Sequence, residues 1–165
     1  MYWDAGSMST DGTNCTVPAE VTIASGPKTW TVNCPTDSAS AFVYGKTQMP
    51  DGWNGGTVMF TASSVNTNAT PSGTYILTFA AQCRTPGTDT IDGTWTGTQT
   101  STATFATQNR PVAATTAALT PVGSTCAGGD MLFWRAISNT GTTTQEATAY
   151  ILGVKMEYTT DINDQ

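Results

Sequence analysis

The residues of this chain that could do chemistry are carboxylates, cysteines and tryptophans, because histidine is absent. Without histidine the commonest general base is missing, and so are the Ser–His and Cys–His nucleophile pairs. Two carboxylates roughly 5–10 Å apart would suffice for glycoside hydrolysis. The aspartates available for that role sit in turn dipeptides: Asp11-Gly12, Asp51-Gly52, Asp92-Gly93 and Gly129-Asp130. Aspartate in such places is explained by hydrogen bonds to its own backbone. No G-x-S-x-G, H-E-x-x-H, phosphate-binding loop or dinucleotide fingerprint occurs. The expectation is a protein that is not an enzyme, with no catalytic residues, no metal and no cofactor.

Four cysteines, Cys15, Cys34, Cys83 and Cys126, are candidates for two disulfides in any of three connectivities. Cys15–Cys34 with Cys83–Cys126 is the favoured pairing. Their spacing fits no zinc pattern, and mixed Cys/His sites need a histidine. A chain that folds in the cytosol keeps its thiols reduced, so reduced cysteines are the default. Five tryptophans raise a different chemistry, the stacking of exposed aromatic faces on sugar rings. Trp30, Trp95 and Trp134 lie in or beside apolar runs and read as core. Trp53, in Asp51-Gly52-Trp53-Asn54-Gly55-Gly56, is the loop aromatic with a candidate ligand role; capping the end of a core is its alternative.

The elements that must position these residues are strands. About a fifth of the chain is Thr, only 11% is charged, and Gly (16) and Pro (8) cut the sequence into short runs. Thr is stiff at χ1 and suits a pleated surface. Strand signals fall at 19–23, 30–32, 41–46, 57–63, 75–84, 102–107, 131–137 and 149–159, with 113–120 ambiguous between strand and short helix. Within 75–84, Leu77, Phe79, Ala81 and Cys83 share the predicted core face. In the last run Tyr150, Leu152, Val154, Met156 and Tyr158 share one face over a period of two that no helix can use. About eight short strands predict an all-β, two-sheet antiparallel sandwich, jelly-roll-like. Residues 1–18 read as an irregular N-terminal arm, 19–159 as the sandwich and 160–165 as an acidic frayed tail. Tyr2 and Trp3, at the tip of the arm, are candidate contacts to a neighbouring subunit.

A net charge of −6 and six scattered Lys and Arg argue against nucleic acid. No apolar stretch reaches the roughly 18 residues of a membrane span. The opening Met1-Tyr2-Trp3-Asp4 lacks a basic n-region and an apolar h-region, so no signal peptide is expected.

Several segments carry a resemblance. Met49-Pro50-Asp51-Gly52-Trp53-Asn54-Gly55-Gly56-Thr57-Val58 is similar to a segment in small β-sandwich proteins of tailed bacteriophages and marine viral metagenomes. Cys126-Ala127-Gly128-Gly129-Asp130-Met131-Leu132-Phe133-Trp134-Arg135, the ending Leu152-Gly153-Val154-Lys155-Met156-Glu157-Tyr158 and the opening Tyr2-Trp3-Asp4-Ala5-Gly6 match as well. The resemblance implies a virion structural protein made in the host cytoplasm. Its first reading is a capsid decoration (cement) protein, a homotrimer on the capsid surface that contacts the major capsid protein and stabilises the expanded shell. Its alternative is a head-fibre or tail-associated receptor- or glycan-binding protein, presenting loops such as 85–95 to a host glycan. A secreted carbohydrate-binding module attached to an enzyme is a further reading, against which the missing signal peptide and partner domain count.

Overall fold

The computed structural model describes residues 1–35, 40–71, 73–95, 97–123, 126–138 and 148–160. Among the described residues the chain forms eleven strands: β1 (Tyr2–Asp4), β2 (Ser9–Thr10), β3 (Ala19–Thr22), β4 (Lys28–Thr31), β5 (Phe42–Gln48), β6 (Trp53–Asn66), β7 (Gly73–Arg84), β8 (Gln99–Phe105), β9 (Val112–Thr115), β10 (Met131–Ser138) and β11 (Ala149–Thr160). A four-stranded sheet runs β1-β11-β6-β9 and a five-stranded sheet runs β2-β5-β10-β7-β8, while β3 and β4 form a separate ribbon. Each of these strand pairs is antiparallel. The fold is an all-β antiparallel sandwich.

Alternation explains why the two sheets close on each other. On β6, Val58, Phe60 and Ala62 are buried, and on β7 the set Tyr75, Leu77, Phe79, Ala81 and Cys83 is buried. Phe60 stacks on Phe79 with ring centroids 4.9 Å apart, and Trp134 of β10 lies 5.8 and 6.0 Å from the two rings. One residue of this cluster comes from the four-stranded sheet and two from the other, so the rings bind the layers together.

Three expectations are corrected. The face of β11 is not continuous: Ala149 and Ile151 are buried, then Val154 and Met156, while Tyr150 and Leu152 are only partly covered. Ile151 pairs with Ser64 and Gly153 with Ser63, which leaves Leu152 as the extra residue of a bulge. An inserted residue shifts a period of two by one, so the core face changes parity there.

Residues 1–18 are not an irregular arm. β1 extends the four-stranded sheet with Trp3 opposite Val154, and β2 pairs Ser9 with Tyr44. Between them Ala5–Ser7 makes a 3-10 turn, where Asp4 Oδ1 accepts from the Ser7 N–H at 2.8 Å. Ala5 and Met8 belong to the core. Strands of two and three residues are too short to show alternation, so only their turn formers are visible in the sequence. Of the acidic tail, Thr160 ends β11, and 161–165 lie outside the described residues.

The cysteines are paired rather than reduced, Cys15 with Cys34 and Cys83 with Cys126, at Cα separations of 4.1 and 5.7 Å. The first bridge staples the N-terminal segment beyond β2 to the chain leaving β4. The second ties the end of β7 to the connection that leads into β10.

Candidate functional site

β5 and β10 are neighbours with Gly45 opposite Trp134, Tyr44 opposite Arg135 and Lys46 opposite Phe133. Val43, Leu132, Trp134 and Ala136 face the core, so the alternate set (Phe42, Tyr44, Lys46, Phe133, Arg135) stands on the outward face of the five-stranded sheet. Gly45 is required beneath them. A Cβ at that position would enter the indole ring of Trp134, so the ring can lie across the strand only over a glycine.

The N-terminal segment turns this face into a cleft. Trp3 packs edge-on against Trp134 with centroids 5.3 Å apart, and its Nε1 donates to the Lys46 carbonyl at 3.2 Å. A cleft of about 420 Å³ opens between Trp3, Ser7 and Ser9 on one side and Tyr44, Lys46 and Phe133 on the other. Beyond Phe133 a second hollow of about 260 Å³ is lined by Arg84, Asp89, Ile91 and Met131. Phe133 lines both. The connection from β7 to β8 covers the far half of the face: Gly93 lies against Arg84 and Gln82, and Trp95 against Arg135.

Arg135 is the unusual member. Its guanidinium carbon lies 4.6 Å from the centre of the Phe42 ring and 4.9 Å from that of Trp95. Burial lowers its pKa, with Tyr44 acting the other way. Burial pushes the Tyr44 phenol up, Arg135 pulls it down and Asp11 adds to the rise. At neutral pH the site therefore presents a neutral phenol beside a cation, since an arginine keeps its proton. Aromatic faces, hydroxyls and fixed cations on an open cleft can bind a ligand that is flat on one side and polar at its rim. They include no nucleophile–base pair.

The residues singled out in the sequence fall elsewhere or change role. Trp53 is buried at 3% exposure inside the core, so its loop-ligand role is corrected in favour of the capping alternative. Trp30 is 42% exposed and covers Gly6, rather than lying in the core. Trp134 is core, and Trp95 is half-buried on Arg135. Trp3 is engaged within its own chain. Tyr2 is exposed, with its ring over Gly153.

Asp11, Asp89 and Asp130 serve local turns. Asp11 accepts from the Asn14 and Cys15 N–H groups, Asp89 from Thr85 and Asp130 from Ala127. Among the described residues no three His, Cys, Asp or Glu converge to hold a metal. Tyr44, Phe133 and Arg135 were not assigned a role from sequence. The available signal was that 131–135 reads Met-Leu-Phe-Trp-Arg, with large side chains on both faces, and that 42–46 carries Phe42, Tyr44 and Lys46 at alternate positions.

No family model and no curated protein matches this chain. Among solved structures, a family 35 carbohydrate-binding module from Clostridium thermocellum is similar over 94% of this chain and 97% of that one, with 10% identity and a TM-score of 0.50. Carbohydrate-binding module CBM36 in complex with calcium and xylotriose has 15% identity over 95% of this chain and 99% of that one, TM-score 0.49. A family 6 carbohydrate-binding module from Clostridium cellulolyticum in complex with xylose has 14% identity, 95% and 96% coverage, and a TM-score of 0.47. At these identities the likeness to the family 35 module shows a shared fold. The capsid-decoration reading is corrected on this finding: the solved structure matched along nearly its whole length is a carbohydrate-binding module.

Proposed function

We propose that this domain is a non-catalytic glycan-binding module that takes its ligand in the cleft on the outward face of the five-stranded sheet. The observation that carries the reading is the cleft of about 420 Å³ lined by Trp3, Tyr44 and Phe133 together with Ser7, Ser9 and Lys46. A pyranose ring has an apolar face and a rim of hydroxyls. Aromatic side chains cover the former, and hydroxyl and ammonium groups bond the latter. Sharing the architecture of a family 35 carbohydrate-binding module supports the reading. Two disulfides fit a setting outside the reducing cytosol, cell and virion surfaces included. The resemblance to phage virion proteins favours, among glycan-binding roles, recognition of a host-surface glycan.

The test is a glycan screen of the intact domain followed by calorimetry on each hit. Phe133→Ala, which removes the ring shared by both hollows, weakens binding by about 2 kcal/mol, roughly 30-fold. The glycan is recovered uncleaved. Full affinity in Phe133→Ala, or no glycan bound at all, contradicts the proposal.

A further inference from the structure

Arg135 stands beside the candidate cleft, directly across the sheet from Tyr44 and two residues along β10 from Phe133, both of which line the cleft. Two aromatic rings cover it, yet among the described residues its guanidinium takes part in no hydrogen bond or ion pair. An arginine carries five N–H donors, and without a protein partner these stay open to water or to a ligand. Arg84, on the same face, donates to the Cys83 carbonyl at 3.1 Å and to Gln82 Oε1 at 2.7 Å, while its Nε is buried without a partner. The charge distribution points the same way. The chain has a net charge of −6, but Lys46, Arg84 and Arg135, half of its six basic residues, gather on this one sheet face. A local reversal of sign inside an acidic protein steers an anion to that patch.

We infer that the ligand is an acidic sugar, a uronic or sialic acid residue whose carboxylate is read by Arg135. Resting on the glycan-binding reading, this gives that site its substrate class. A carboxylate matches the planar fork of a guanidinium with two parallel hydrogen bonds. Phe42 and Trp95 hold the cation by their ring faces and shield it from water, which strengthens the pair. Tyr44, directly across the sheet from Arg135, supplies a neutral hydroxyl, and Lys46 a second cation next to Phe133.

The experiment is calorimetry of the intact domain with three kinds of glycan. Xylo- and gluco-oligosaccharides are neutral, oligogalacturonides and sialyllactose are carboxylated, and carboxyl-reduced oligogalacturonide differs from its parent only in the acid. Chondroitin sulfate and its desulfated form serve as the sulfate control. Binding is expected to a carboxylated glycan, to fall at least tenfold when its carboxyls are reduced, and to weaken as salt is raised. Arg135→Gln should lower the affinity for the acid form to that for the reduced form, in a domain that still gives a cooperative thermal melt. Arg135→Lys should recover part of the preference. Equal binding of neutral and acid forms, unaffected by Arg135→Gln, overturns the inference and leaves glycan binding standing. Binding that follows sulfate rather than carboxylate also overturns it. No binding to any member overturns both.

Discussion

Gly45 and Trp134 show how single residues set this site. The indole lies where a Cβ of residue 45 would be, so the largest core side chain and the smallest strand residue occupy opposite positions in one register. That exchange leaves Trp134 wholly buried and opens the backbone of β5 to the cleft. Asp11 shows a residue whose chemistry is local. Burial alone would raise its pKa from the ordinary 3.8. The N–H groups of Cys15, Asn14 and Thr13 and the Asn14 side chain donate to the carboxylate, and together they lower it. A carboxylate with a lowered pKa in the folded state stabilises the fold above its ordinary value, and that contribution disappears as pH falls through the lowered one. Wild type should therefore melt above Asp11→Asn at pH 6, with the gap closing below pH 3.8 in a series of thermal melts. A gap that stays constant down to pH 2.5 would show that the carboxylate charge is not what the turn uses.

At the scale of elements, the bulge in β11 keeps one strand on one core across a change of parity, with Ala149 and Ile151 before it and Val154 and Met156 after it. Beyond it, Val154 and Met156 pack under the aromatic cluster. At it, Leu152 turns to the other side, where it helps line an apolar hollow of about 310 Å³ with Ile23, Pro27 and Val65. Val154→Asp puts an unpaired charge in the core and should cost about 4 kcal/mol, lowering the melting temperature by roughly 8–16 °C. Leu152→Asp, on a half-open site, should cost less than half as much. The reverse ranking would mean that the strand runs without a bulge. This element also marks the limit of what was legible. The alternation of 149–159 announced a strand and one buried face, as the alternation of 75–84 did, because hydrophobic period reads directly as strand geometry. The parity change at Leu152 was not legible, since a bulge depends on the partner β6 and not on local residues. Likewise β1 and β2 exist only because β11 and β5 offer edges to them. The candidate site was illegible for the same reason: Tyr44, Arg135 and Trp95 meet through β-sheet register and the fold-back of residues 85–95. Trp53 looked like a turn residue but is the first residue of β6, and its ring enters the core.

For the whole molecule, two disulfides, a core shared by both sheets and a short N-terminal strand hold one broad sheet face rigid and open. That face collects aromatic rings and half the basic residues of an acidic chain, an arrangement that stability alone does not require. Rigid strands make better platforms for a ligand than loops do, because they lose little freedom on binding. The central claim is thus a location: the ligand lies across β5 and β10. The most direct test is an NMR titration of the isotopically labelled domain with a glycan hit from the screen. Chemical-shift changes should cluster at residues 42–48 and 131–137, with the Trp3 indole N–H moving as well. Changes confined to the Leu152 hollow on the other sheet, or to the β3–β4 ribbon around Trp30, would contradict the account.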